Sequence, residues 1–349
     1  MMESRPLRSS SYATHWKTRC RRGCTSYLLF AICCSLIPPR TLGFVSSVNY
    51  TRPGDIIIGG LFPLHTYDES SATCGTIRSI NSLKKVEAMV YAVDRINQDE
   101  YLLPNITIGF EIYDTCGYDS KALQTSLNFI PSSIDGSRDD DKKPMLGVVG
   151  PQASSSSVLT SLLLGLYRIP MISYLSTSDE LSNALRYPYF LRTVGSDRYQ
   201  VRAIVDILLN YDWKYVSFVN SDDTYGTNAL RRFVTLAANN DICIGWTQTV
   251  SGFDSDRDYD ELVGSLLEAK DGYHHPSVVV MFVNRQKMVQ NILSAVSRMN
   301  AEGRIIWIGS DSWGNNREAA TVGHEEAALG QLIHSKKKTR RRKGSIFVL

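Results

Sequence analysis

The sequence predicts an α/β protein of two lobes, and three observations carry that reading. Short apolar runs alternate with longer amphipathic ones, the alternation starts afresh near Asp197, and 349 residues suit two cores better than one. Strands separated by helices of this length specify parallel sheets covered on both faces. Two such sheets in tandem leave a cleft, and open α/β sheets bind ligands beyond the carboxyl ends of their strands.

In the first series, Asp55–Phe62 reads as a strand and Leu83–Asn97 as a helix. Val86, Met89, Val90, Val93 and Ile96 fall at spacings of three and four and share one face. Strand-like Ile106–Tyr113, a helix over Asp119–Ile130, strand Met145–Val149 and helix Ser155–Leu166 follow, then strand-like Met171–Tyr174. Residues 131–144, rich in Ser, Gly, Asp and Lys, are too polar to pack and read as a mobile loop. The second series pairs helix Arg198–Asn210 with strand Tyr215–Asn220 and helix Thr227–Asn239 with strand Cys243–Val250. It continues with helix Tyr259–Ala269, strand Val278–Phe282, helix Gln286–Met299 and strand Arg304–Gly309.

The formal charge of +3 conceals an acidic interior. Residues 1–43 carry seven basic side chains and one acid, and Lys336–Lys343 carries seven more, which leaves −10 between the ends. That balance gives no footprint for nucleic acid. Arg19, Arg21 and Arg22 precede an apolar run from Tyr27 to Ile37, with small residues at Thr41 and Gly43, so 1–43 reads as a secretory signal peptide. The run is too short to span a bilayer. Beyond it stand three cysteines, Cys74, Cys116 and Cys243, which allow one disulfide and one odd thiol. Asn49-Tyr-Thr51 and Asn105-Ile-Thr107 fit the glycosylation pattern.

Polar groups gather where strands end. Gly150-Pro-Gln-Ala-Ser154-Ser155-Ser156-Ser157 opens a helix, where free N–H groups and hydroxyls suit a carboxylate; serine capping alone is the plainer alternative. Ser176-Thr177-Ser178-Asp179 repeats the pattern, and Asp197 closes Val194-Gly-Ser-Asp197 with capping again open. Tyr225-Gly226 follows the acidic pair Asp222-Asp223, and Asp311 closes Trp307-Ile-Gly-Ser-Asp311. Together these groups suit a zwitterion: hydroxyls and N–H groups take a carboxylate, while Asp197, Asp311 and the Tyr225 ring take an ammonium.

Several ordered segments carry a family resemblance. They are Val86-Glu-Ala-Met89, Asp94-Arg-Ile-Asn97, Leu103-Pro-Asn-Ile-Thr107, Gly147-Val-Val-Gly-Pro151, Asp212-Trp-Lys-Tyr-Val-Ser217 and Gly309-Ser-Asp-Ser-Trp313. From Gly54 to about Gly330 the chain resembles the extracellular ligand-binding domain of metabotropic glutamate receptors, the class C G-protein-coupled receptors. The resemblance implies a bilobed, periplasmic-binding-protein-like module (a Venus flytrap) that closes on an amino acid and dimerises through lobe 1. Residues 44–192 would be the first part of lobe 1 and 193–333 lobe 2. It further implies α-amino-acid contacts at Ser154, Ser155, Thr177, Asp197, Tyr225 and Asp311, and a disulfide between Cys74 and Cys116.

Departures from the family pattern narrow the reading. The arginine for the glutamate side-chain carboxylate falls on Lys85, a tyrosine position on Asn81 and a further arginine on Asn316. Lysine pairs a carboxylate as a point charge and not as a fork. A lobe-2 glutamate falls near Asn284, a cysteine pair becomes Met281 and Val283, and the 131–144 loop lacks the cysteine that links family dimers, so a homodimer would be noncovalent. The match gives way after Gln331-Leu-Ile333 to a basic, non-homologous tail at 334–349, so the resemblance implies an incomplete first lobe in a truncated receptor module. A nuclear-localisation run and a surface-binding tail are other readings of those residues.

The expected function is extracellular sensing of glutamate or a related amino acid, at the cell surface or in the secretory pathway. A G protein becomes a partner only if the gene product continues into seven spans. A secreted amino-acid-binding protein and a non-functional fragment are the alternatives. Asp254-Ser-Asp-Arg-Asp-Tyr-Asp260 lacks the glycine and terminal glutamate of a calcium loop, having Tyr259 and Ser265 there. His274-His275 has no further ligand at metal spacing. With no nucleophile elbow or phosphate-binding glycine motif, the chain reads as no enzyme, with no metal or cofactor.

Overall fold

A computed structural model describes residues 49–68, 70–130, 143–252, 255–270, 273–274, 276–314, 322–328, 332–334 and 346–348. The signal read at 1–43, most of the 131–144 loop, Asn316, and 335–345 of the basic tail lie outside the described residues.

The first lobe runs β1 (Asn49–Arg52), β2 (Ile56–Phe62), a hairpin β3–β4 (His65–Asp68, Thr73–Ile77), α1 (Ile80–Asn97), β5 (Ile108–Asp114) and α2 (Asp119–Ser126). It continues with β6 (Met145–Val149), α3 (Ser154–Leu166), β7 (Met171–Ser173) and β8 (Phe190–Arg192). The sheet order is β1-β5-β2-β6-β7-β8, parallel except for β1.

The second lobe runs α4 (Asp197–Asn210), β9 (Tyr215–Ser221), α5 (Thr224–Ala238), β10 (Cys243–Val250), α6 (Asp256–Leu267) and a short hairpin β11–β12 (Ala269–Lys270, Tyr273–His274). Then come β13 (Val278–Phe282), α7 (Gln286–Arg298), β14 (Ile306–Gly309), α8 (Asp311–Gly314), β15 (Leu332–His334) and β16 (Ile346–Val348). Its order is β10-β9-β13-β14-β15-β16, with only β16 antiparallel. A strand in the last residues, where the sequence reads only as a basic tail, extends this sheet.

Why both sheet faces are covered can be followed along β13. Val278, Val280 and Phe282 pack with Phe218 of β9 and with α4 and α5, through Ile204, Leu208 and Phe233. Val279 and Met281 point the other way, to Leu262 of α6, Ile292 of α7 and Trp307. The two-residue period of a strand divides the run between two cores, so neither face can be polar. Val283 and Met281, which fall where the family carries cysteines, are fully buried apolar residues of that second core. Two buried tryptophans fasten it: the Trp307 indole N–H donates to the Ala327 carbonyl (3.1 Å) and the Trp313 indole N–H to that of Met281 (3.2 Å).

The first lobe repeats the design. Val86, Met89, Val90 and Val93 of α1 cover Phe62, Phe110 and Ile112, whereas Leu61, Tyr113, Val148 and Met171 meet Phe129 and Leu164. Cys74 on β4 and Cys116 after β5 form a disulfide with Cα atoms 5.7 Å apart, tying the hairpin to the sheet. Cys243 is free and exposed. No helix among the described residues is long and apolar enough to cross a membrane.

Candidate functional site

The site begins where β6 ends. Gly150 has φ +97°, and a Cβ there would lie 2.2 Å from the Leu61 carbonyl oxygen, so the turn into α3 passes hard against β2. No side chain caps α3 at Ala153. Capping is therefore not what its serines do. The Ser154 hydroxyl accepts the Ser178 N–H (3.2 Å), and Ser155 and Ser156 donate to the Asp119 carboxylate of α2 (2.9 and 2.5 Å).

A hydroxyl ladder locks this turn to the next strand end. Ser173 donates to the Pro151 carbonyl (2.7 Å), Ser176 to that of Gln152 (3.1 Å), and Ser157 meets the Ser176 hydroxyl at 2.7 Å. Thr177, buried in the same segment, points no hydroxyl hydrogen bond at any described residue. Its carbonyl accepts the Asp197 N–H at 2.8 Å, a contact that joins the lobes. A second joining contact runs from the Ser178 hydroxyl to the Thr224 carbonyl at 3.2 Å.

Asp197 sits in the first turn of α4, buried to 2 % exposure, while Ser196 caps the helix. Across from it, the Tyr225 hydroxyl donates to Asp311 Oδ1 at 3.0 Å. Asp223 caps α5 by accepting the Gly226 N–H (2.9 Å), which draws Tyr225 into the first helical turn, three residues ahead of the start the periodicity predicts. Burial first, and then the charges of Asp311 and Asp197, push the Tyr225 phenol well above its ordinary range. It stays a neutral donor to Asp311, with Asp197 a second negative charge acting on it, a setting that attracts a cation.

Sequence reasoning missed Gln200, fully buried in α4. In the amide orientation that satisfies both of its polar atoms, its nitrogen donates to Asp311 Oδ1 (3.1 Å) and its oxygen accepts the Asp311 backbone N–H (2.6 Å), so it holds that residue at two points. A glutamine inside an amphipathic helix carries no sequence signal for such a role.

Lys85 lies on α1, and its ammonium donates to Gln152 Oε1 (2.5 Å) and stands 5.7 Å from the Tyr174 ring. Burial, and then the Arg78 charge, lower its pKa. Lys85 thus joins the serine turn through Gln152. Asn81 is exposed on the same helix. Asn284 serves architecture: its amide donates to Asp223 Oδ2 (3.0 Å) and its N–H to Ser221. Of the seven expected contacts, Thr177 bonds Asp197 and Tyr225 bonds Asp311 directly, Ser154 reaches Ser178 beside Thr177, Lys85 reaches Gln152, and the Ser155 hydroxyl is turned to Asp119.

Residues 85–339 match the receptor family ligand binding region. The chain belongs to that family. As a receptor ligand-binding region it is similar to metabotropic glutamate receptor 8 of Homo sapiens and of Rattus norvegicus. Each is 38 % identical over 292 residues, which cover 80 % of this chain and 32 % of the relative. Metabotropic glutamate receptor 4 of Mus musculus is 36 % identical over 299 residues, 82 % of this chain and 32 % of the relative. The chain spans about a third of the length of the curated relatives it matches. The mixed α/β lobes, the parallel sheets and the disulfide are those expected of this ligand-binding family.

Proposed function

We propose that this ligand-binding region senses an α-amino acid, glutamate or a related one, held between its lobes. The observation that carries the reading is the neutral Tyr225 phenol bonded to Asp311, with the buried Asp197 joined to the Thr177 segment and α3 starting without a side-chain cap. The carboxylates and the ring would take the ammonium, and the Thr177 hydroxyl with the α3 N–H groups would take the carboxylate. Closure would strengthen both sets, because water leaves as the lobes meet.

In this reading the lobes divide near residues 192 and 193, and the module works outside the cell, at the surface or in the secretory pathway. The disulfide supports an oxidising compartment. Asn105, exposed, and Asn49 are the expected glycosylation sites. A homodimer through lobe 1 is supported by the apolar residues that α3 exposes, Leu159, Leu162 and Leu166, with Leu127 exposed just past the end of α2. A G protein would be engaged by the longer receptor.

Calorimetry of the purified chain against the twenty amino acids tests the ligand. Thr177→Ala and Asp311→Ala should each weaken the best ligand by about 1–3 kcal/mol, the range for hydrogen bonds to charged groups. Unchanged affinity in both variants would remove these residues from the site.

A further inference from the structure

Two sulfurs and a carboxylate converge beside the β3–β4 hairpin. Cys74, Asp114 and Cys116 each bring a donor atom within 4.8 Å of the other two, and no other three metal-ligating groups among the described residues do so. The sulfurs are joined to each other as a disulfide. Thiolates, and not disulfide sulfurs, are metal ligands, and two thiolates with a carboxylate match the donor set of zinc.

Asp114 closes β5 and is 1 % exposed. Its Oδ1 accepts the N–H groups of Leu64 (2.9 Å), His65 (3.4 Å) and Cys116 (2.8 Å), and its Oδ2 meets His65 Nδ1 at 2.5 Å. The backbone therefore pins Oδ1, while Oδ2 keeps a lone pair beyond the one that faces the histidine. A partner of this kind behind a ligating carboxylate fixes its orientation around a metal.

The convergence does not depend on the sulfur–sulfur bond. Cys74 stays opposite Tyr67 in the hairpin, and the Arg78 N–H closes the hairpin base on the Leu64 carbonyl (2.8 Å). Cys116 lies in a turn held by the Tyr118 N–H on the Thr115 carbonyl (3.0 Å). Two further contacts join hairpin to turn: His65 with Asp114, and the Tyr67 ring stacked on that of Tyr118, centroids 4.0 Å apart. Rotation of the two thiols then gives the separation of roughly 3.8 Å that two sulfurs take on one tetrahedral zinc. Cys74 is only half-buried, which leaves a way in.

We propose that, once the Cys74–Cys116 bond is reduced, the two thiolates and Asp114 Oδ2 bind a zinc-type divalent cation, with His65 orienting the carboxylate and water completing the tetrahedron. A dithiol supplies the two electrons: its own sulfurs join, the protein's sulfur–sulfur bond breaks, and the dithiol's two protons pass to the cysteine sulfurs. Cation binding releases both protons to water, because a coordinating thiol is deprotonated outright. The same two cysteines are thus a cross-link in one redox state and a cation site in the other. The amino-acid site takes no part in this.

Cobalt(II) stands in for zinc, and its sulfur-to-metal charge-transfer band in the near ultraviolet reports thiolate ligation. The full chain carrying Cys20→Ser, Cys24→Ser, Cys33→Ser, Cys34→Ser and Cys243→Ser keeps this pair alone. Reduced by a dithiol that is then removed, it should take up one cobalt per chain with that band, and zinc should abolish the band. The oxidised protein should show no uptake. His65→Gln spares all three ligands and should weaken cobalt binding by about 10–100-fold, as losses behind a metal ligand do. Cys74→Ser and Asp114→Asn should each weaken it at least as much. A reduced chain without the band, whether or not it keeps its near-ultraviolet circular dichroism, would overturn the proposal. So would a band that Cys74→Ser leaves unaltered. Should Asp114→Asn not fold, His65→Gln decides, and an unmoved affinity there removes the carboxylate and with it the site.

Discussion

A buried amide helps to hold Asp311 in place. Gln200 holds both its N–H and its Oδ1, and Tyr225 donates to the same oxygen. Replacing Gln200 by leucine keeps much of the volume and strips two partners at once. Each buried polar group left unpaired costs about 1–3 kcal/mol. Gln200→Leu should therefore lower the urea unfolding free energy by roughly 2 kcal/mol and weaken amino-acid binding in the same protein. A variant with unaltered stability and affinity would show that Asp311 is held by other means. At this scale the sequence was half legible. Asp197, Tyr225 and Asp311 stood out because polar residues at strand ends are conspicuous. Gln200 did not, since nothing local distinguishes it from a surface side chain; its partner Asp311 lies 111 residues further along the chain.

At the scale of elements, the polar turn between β7 and β8 ties lobe 1 to the start of α4. Asp179 opens a short 3-10 turn (Asp179–Ser182), and its Oδ1 accepts from Arg198 (2.7 Å), Ser196 (3.0 Å) and Ser182 (3.1 Å). Arg192 of β8 donates to the Ser178 carbonyl (2.9 Å) and to Ser182 (2.5 Å), binding the same turn from the other side. Burial works to raise the Asp179 pKa, but the bonds from Arg198 and Ser196 outweigh it, and the carboxyl lies below its usual range. A depressed carboxylate adds stability that is full above its unfolded value, near pH 4, and is lost as pH falls through the folded value. Asp179→Asn should thus be less stable than the native chain at pH 7, and the gap should narrow as the pH falls below about 4. A gap of constant size across that range would rule out the carboxylate as its source. The long helices and buried strands were legible, because a spacing of three and four or an unbroken apolar run survives without context. Asn49–Arg52, Phe190–Arg192 and Ile346–Val348 were not: they are three or four residues long, and pairing with a neighbour defines them.

At the scale of the whole molecule, α3 and the end of α2 turn apolar side chains outward, Leu127 standing just past α2, while serine–aspartate bonds hold the two helices together. Leu166 is 79 % exposed, Leu127 53 %, and Leu159 and Leu162 38 % each. Neighbouring exposed leucines on two joined helices suit a second copy of the same face. Sedimentation of Leu162→Glu with Leu166→Glu should show a monomer where the native chain shows a dimer. A native chain that sediments as a monomer would remove the dimer from the proposal.

The tryptophan beside the site has an optical consequence. Trp313 lies two residues beyond Asp311, shut away from water, with its indole N–H fixed on the Met281 carbonyl. An ammonium docking on Asp311 alters the electric field across a ring that cannot rotate to escape it. The emission of that indole would report occupancy without a label, a fluorescent gauge built into the wall of the cleft.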